Sequence, residues 1–587
     1  MRPTGLSDVE KQVRKDFLEG RRTVLTVGDP AVDDPALGGS WGPERTLRAD
    51  FIRRLIEEAD ARRAPLRVVG ARVMGPLELE YLELRYSLSF SFSHFDDEID
   101  LHDTRLRRLN LHGTRMAGLN ATQAHVDGSV VLHRAHVTGR IRLDSAVIGG
   151  SLQITDAVLS NPSGVALRAD RARMTGDLAM WGTTAEGSTV LRDARTDGVV
   201  SLERAWLRAP GGEALDAARL HVGSDLMADG LRAEGLVRFS GAQTAGLLRL
   251  ADAKLSSPGG IALEAYQVTV GADLQCYRGF EAEGQVRITG ARVAGHVRFD
   301  EAVLHGDGKD ALDARYVEVG GAARCRGLRS AGVVRFSSAR VGNDVDFRES
   351  VLAAGTNAPD AGPSILILGH LRAAELTLRF AAPPEGGIHL RNAQVGVLND
   401  DPATWPPRLA LDGFAYERIA EPGSVADRIA WLKREGDSYW PGPYEQLAAV
   451  YRRQGLDGEA RRVLLAKQRA RRKTLSLSAR PWGLVQDAAV GYGYRPERAL
   501  GWLLALLITG TIVFGLHHPV ASGPDKTAPF NPLIYSLDLL LPVINFGQGR
   551  AFVATGGYQW VAYLLTAAGW ILATTIAAGV ARAVNRA

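Results

Sequence analysis

Small and aliphatic residues recur at a fixed stride through the middle of the chain. Ala124, Ala135, Ala146 and Ala157 stand eleven residues apart, as do Val126, Val137, Ile148 and Leu159. Each unit holds two apolar pairs, such as Val130/Leu132 and then Ala135/Val137. Residues at i and i+2 of an extended chain point to the same side. A second beat of about 48 residues overlies the first, marked by Ala166-Leu167, Ala214-Leu215, Ala262-Leu263 and Ala311-Leu312. The stride is wrong for a 3.6-residue period and glycine recurs within it, so helices are disfavoured. Short strands with inward-facing pairs and glycine-rich corners predict a mainly β fold, a parallel right-handed β-solenoid over 67–412. A coil takes about 22 residues, and a 48-residue unit is two coils plus a short insertion.

The insertions fall at one place in each long unit: Asn161-Pro162-Ser163-Gly164, Pro210-Gly211-Gly212, Pro258-Gly259-Gly260 and Gly306-Asp307-Gly308. They are expected to line one edge of the rod, as a binding face or as corner slack. Cys276 and Cys325 occupy equivalent places in successive units. They are expected to be buried core residues two coils apart, too far for a disulfide.

The pairing resembles the pentapeptide-repeat family, whose units carry a small residue two before a central Leu or Phe. Here the steps alternate between five and six.

Flanking the array, the periodicity turns helical. A short helix is predicted from about Ser7, and an amphipathic one over 47–61 buries Phe51, Ile52, Leu55, Ile56 and Ala59 on one face. Residues 1–66 read as a helical cap over the open edge of the solenoid, with no secretory signal visible. After Phe414 a helical segment spans 413–494, opening with Ser424 as N-cap. Tyr444, Leu447, Ala448, Tyr451, Gly455, Ala460 and Leu464 resemble the spacing of one tetratricopeptide repeat. Lys467, Arg469, Arg471, Arg472 and Lys473 form a basic run that is a candidate contact for anionic lipid.

Residues 495–587 read as a membrane domain. Ala499–Leu516 and Trp560–Val580 are uncharged and long enough to span a bilayer. Arg495, Arg498, Arg582 and Arg586 flank them, which places both termini and the solenoid in the cytoplasm. The connector holds an apolar stretch, 531–549, read as a re-entrant or interfacial helix. Asp538 is its one acid, and with Asn545 and Phe546 it forms the candidate pore or re-entrant site. Span, short helix and span resemble a potassium-channel pore. Pro542 stands where that family's filter has Thr, and Thr-Val-Gly-Tyr-Gly is missing, so a potassium-selective filter is not expected.

Composition narrows the function. Two cysteines exclude a disulfide-stapled fold and a four-cysteine metal site. A net charge of +4 argues against a nucleic-acid binder. No nucleotide, metalloprotease or serine-hydrolase motif occurs, so catalytic, cofactor and metal residues are all expected to be none. The layout, with Trp41-Gly42-Pro43-Glu44-Arg45-Thr46, PYEQLAAVYRRQG and GYGYRP, also resembles a bacterial, largely actinomycete, group often labelled membrane-associated oxidoreductases. That resemblance implies a redox activity for which no residue here supplies a cofactor site. The leading expectation is a membrane-anchored scaffold or binding protein, its partners the lipid bilayer and a protein or another copy of itself. A channel-like protein gated by the solenoid is the alternative, and an oxidoreductase the third.

Overall fold

The computed structural model describes residues 5–58, 65–354, 364–436, 439–473, 496–523, 529–541 and 543–584. The chain divides into two compact units, one of residues 1–422 with 434–436 and one of 423–433 with 437–587.

The first unit is a parallel β-solenoid of about sixteen turns. Each coil is built from short strands separated by two kinds of corner. At one kind the chain turns in four residues: in Leu132-His133-Arg134-Ala135, the Ala135 N–H donates to the Leu132 carbonyl at 3.0 Å. Arg134 has φ +54°, the positive value a type II turn requires at its third position. Twenty described non-glycine residues adopt this left-handed conformation, each at a cost near 1 kcal/mol. The strain is offset because every such corner also bonds to the next coil; Arg134 N–H donates to the Thr155 carbonyl at 2.9 Å. The eleven-residue beat is therefore the spacing of these corners, with the recurrent alanine directly after the left-handed residue. At the other kind of corner side chains bridge coils. The Asp177 carboxylate accepts from Val199 N–H, and Asp225 from Leu247 N–H, at 2.8 and 2.9 Å.

Register explains the longer beat. Val126 pairs with Ile148, 22 residues on, and Ile148 with Met174, 26 residues on. The alternation continues through Thr196, Val222 and Thr244. The longer coils carry the eleven-residue strands Val158–Arg168, Trp206–Asp216, Lys254–Glu264 and Val303–Asp313. The intervening coils carry seven-residue strands at the same edge, such as Thr184–Val190 and Arg232–Arg238. The expected two-coil unit with its insertion is present.

The core is a stack of aliphatic and aromatic side chains, and in its C-terminal half size alternates from coil to coil. Leu202, Ala228 and Leu250 lie in register on three successive coils. Three residues further on, Ala205, Leu231 and Ala253 do the same. All six are almost fully buried. From Leu202 to Phe347 a coil that is small at the first position is large at the second, so neighbouring layers interdigitate; in the earlier coils the first position stays large, as Leu132, Ile154 and Met180. Cys276 and Cys325 belong to the first column with Phe299 between them. Both thiols are free and fully buried, as the register predicts.

The N-terminal cap differs in part from expectation. The helix Asp8–Leu18 begins with a full capping box from Ser7 and Glu10. The second helix is Ala49–Glu58 rather than 47–61, because Thr46–Arg48 is a strand paired with Arg72–Met74. Thr23–Val24 likewise pairs with Val68–Val69. The cap thus supplies strands as well as helices to the first coil, and it buries Phe51, Ile52, Leu55 and Ile56; Ala59 lies outside the described residues. At the far end, Glu435 accepts the Leu411 and Asp412 N–H groups, each at 3.0 Å.

In the second unit, Ser424 caps the helix Val425–Leu432 as expected. The helices Pro441–Arg453 and Asp457–Lys473 pack as a hairpin, burying Tyr444, Leu447, Tyr451 and Leu464. The stretches read as spans are helical, within Pro496–Leu516 and Tyr558–Val584. Over their described residues, neither is long and apolar enough to cross a membrane. The connector is more structured than one helix. Asn531 caps the helix Pro532–Leu540, a short helix follows at Gln548–Ala551, and Val520–Ala521 pairs antiparallel with Phe552–Val553.

Candidate functional site

Three places on the surface combine regular geometry with chemistry. The first is the rim of insertions. The first three long strands bow outward at their centres, leaving 162–164, 210–212 and 258–260 exposed. The shorter coil beneath meets the base of each bow with a glycine. Gly235 has φ +119°, and a Cβ there would lie 2.5 Å from the Ala209 carbonyl oxygen. The insertions therefore stand on every second coil, about 9.6 Å apart. Ion pairs flank them: Arg208 lies 3.5 Å from Glu186 and 3.3 Å from Glu234, and Arg238 2.9 Å from Glu264.

The second is an aromatic ladder at one corner, which the sequence reading missed. Phe92 meets His112 edge-on at 4.8 Å between ring centres, His112 stacks on His133 at 5.0 Å, and His133 meets Trp181 at 6.4 Å. Arg204 sits over Trp181 at 5.9 Å. His133 Nδ1 lies 2.7 Å from Thr155 Oγ1. Burial holds the His112 pKa below the usual imidazole value, and His133 and Arg134 push it the same way. The signal was available: His112, His133 and Trp181 each directly follow a buried apolar residue, Leu111, Leu132 and Met180, at equivalent corners.

The third holds the residues expected to form the re-entrant site, and the structure brings them together. One Asp538 carboxylate oxygen accepts the Phe546 N–H at 2.5 Å, and the other accepts the Gly549 N–H at 2.8 Å. Asn545 Oδ1 accepts the Gly547 N–H at 2.8 Å. Asp538 thus fixes the turn that follows its own helix. The turn presents Val543, Ile544 and Phe546 to the outside, at 88%, 51% and 50% exposure. The helix Pro532–Leu540 packs on both long helices at close approaches. A Cβ on Gly510 would lie 2.8 Å from Ser536 Oγ, and one on Gly569 2.2 Å from the Leu540 carbonyl oxygen. His517, stacked on Tyr558 at 4.2 Å, and His518 line a separate hollow of about 320 Å³.

The basic run is partly engaged within the hairpin. Lys467 is paired with Glu445. Arg469 and Arg471 are exposed and Arg472 half-buried, while the side chain of Lys473 and all of 474–495, including Arg480 and GYGYRP up to Arg495, lie outside the described residues. Pro542 does too. Among the described residues no three His, Cys, Asp or Glu side chains gather in a group that could hold a metal ion. No family of known proteins, no curated protein and no solved structure matches the chain.

Proposed function

We propose that the protein is a scaffold: a β-solenoid that presents its insertion rim to a protein partner, tethered to a bilayer by the C-terminal helices. The observation that carries the reading is the rim, three exposed bows on one edge at two-coil spacing, with a fourth eleven-residue strand, Val303–Asp313, at the same place one unit further on. A protrusion repeated at a constant two-coil phase is a surface for a repetitive or extended partner. The tether is supported by the stripe Leu500, Leu504, Ile508, Ile512 and Leu516, all exposed on one helix at every fourth position. So many large apolar side chains in water are unfavourable, and lipid relieves them. Exposed Trp502 and Trp560 suit the bilayer interface. The arginines that flank the two apolar segments favour a cytoplasmic rod and cytoplasmic termini. Arg469, Arg471 and Arg472 add attraction to anionic lipid.

The packing of Pro532–Leu540 between two long helices favours a channel-like protein as the second reading. Membrane fractionation followed by crosslinking and pull-down tests the first: the chain is expected in the carbonate-resistant pellet, with a partner lost when the insertions are shortened. Ion flux in vesicles from the purified chain, abolished by Asp538→Asn, would instead establish the second.

A further inference from the structure

We infer that the insertion rim is a proline ridge that docks into a partner groove lined by parallel aromatic side chains, of the kind that binds proline-rich peptides. The inference rests on the rim reading above and names the chemistry of the partner's binding face. The first three insertions each carry an x-Pro dipeptide: Asn161-Pro162, Ala209-Pro210 and Ser257-Pro258. Register makes the three prolines equivalent. Val158 and Trp206 both pair with Thr184, and Trp206 and Lys254 both pair with Arg232. Each proline stands four residues further along its strand, and each is exposed. Being two coils apart, successive prolines are about 9.6 Å from one another. A polyproline II helix rises about 3.1 Å per residue with three residues per turn, so prolines three residues apart line one side at intervals of about 9.3 Å. The rim therefore repeats the proline spacing of such a peptide, to within about 0.6 Å over three prolines.

The spaces between the prolines suit flat rings. The intervening coils carry the shorter strands Thr184–Val190 and Arg232–Arg238, which lack the insertion and have Gly187 and Gly235 at the base of the gap. A ring centred in such a gap lies about 4.8 Å from the proline on either side, inside the roughly 4.5–7 Å over which rings stack. Proline presents such a ring with an apolar ring of its own and no N–H to desolvate. The ridge is held in place by the coils beneath it, so docking orders little chain. Charge selects no other partner. The tips at 162–164, 210–212 and 258–260 hold no charged residue, and the ionic groups at their bases are already paired, Arg208 with Glu186 and Glu234, Arg238 with Glu213 and Glu264. What the rim leaves for a partner is ring contact along a line of fixed pitch. The fourth insertion ends the series. Asp307 takes the proline's place, and Lys309 Nζ donates to the Gly259 carbonyl at 3.4 Å, tying this insertion back to the third.

The test uses the full chain solubilised from native membranes, with the captured partner identified by mass spectrometry and oligoproline as the competing probe. Oligoproline is expected to displace the partner, and a Gly-Ser peptide of the same length is not. Pro210→Ala, at the centre of the ridge, should weaken capture about tenfold, and Pro162→Ala or Pro258→Ala, at its ends, should weaken it less. Thermal melting of the three variants should be nearly unchanged, because the prolines are exposed, which separates a lost contact from a lost fold. If shortening the insertions releases the partner but either oligoproline or Pro210→Ala leaves it bound, the proline ridge is refuted and the scaffold reading stands; a second copy of the chain or an ionic partner would give this result. If no captured protein depends on the insertions, the scaffold reading fails and the ridge with it.

Discussion

Exchanging Ala228 and Leu231 tests the alternation of size in the solenoid core. Leu231→Ala alone removes a fully buried side chain from between Ala205 and Ala253. Three alanines then stack, the void cannot close from above or below, and the cost should sit near the top of the usual range of about 2–5 kcal/mol. Ala228→Leu alone wedges a third leucine between Leu202 and Leu250, an overpacking cost of about 1–3 kcal/mol. In the double exchange the added side chain lies three residues from the void, across one corner of the same coil. It can lean into the space, so the pair should recover about 1–3 kcal/mol relative to the sum of the singles. The double variant should still be less stable than the native chain, because three large layers now adjoin. Hydrogen exchange by mass spectrometry over 200–255 reads the opening free energy of these coils directly. The losses should fade within two coils on either side, since each coil contacts only its neighbours. Strict additivity, or a double variant worse than the sum, would refute volume compensation between the two positions.

Gly235→Ala combines a strained φ with a collision against the Ala209 carbonyl, and should cost about 1–3 kcal/mol; Gly211→Ala, left-handed but in open space, should cost about 1 kcal/mol, and thermal melting should rank them in that order. Asp538→Ala removes the carboxylate acceptor of two backbone N–H groups, a loss of about 1–3 kcal/mol per bond, and should speed hydrogen exchange of the Phe546 and Gly549 amides in detergent-purified protein. Lowering the pH from 7.5 to 5 should weaken the coils around 109–137. His112 has a folded pKa below the 6.5 of free imidazole, so the unfolded chain takes up the proton first and stability falls as pH drops through that window; hydrogen exchange should show the effect, and His112→Gln should diminish it. Cys276 and Cys325, whose thiol pKa values burial raises, should resist aqueous thiol reagents until the solenoid unfolds.

The solenoid was legible because its cause is local and repeated. A left-handed corner followed by alanine, with i/i+2 pairs on either side, leaves a mark in every coil, and the register of the two cysteines followed from counting. What escaped was set by contacts distant in sequence. Thr46–Arg48 has the composition of a helix start and is a strand only because Arg72–Met74 lies beside it. Asp538 stood out as a lone acid, but its role depends on two N–H groups eight and eleven residues later. Lys467 read as part of a charged run, and only the fold of the hairpin brings Glu445 to it. The aromatic ladder needs residues 92, 112, 133 and 181 superposed, which no linear window displays.

The alternation of bulky and slight layers also constrains how such a rod can change length. Between Leu202 and Phe347, removing one coil would set like against like at the seam, two bulky layers colliding or two slight ones leaving a gap. Removing or duplicating two preserves the sequence of layers and the phase of the outward bows. Inheritance by tandem copying should therefore proceed in even steps, and a gene for a longer or shorter version would be recognisable by its parity.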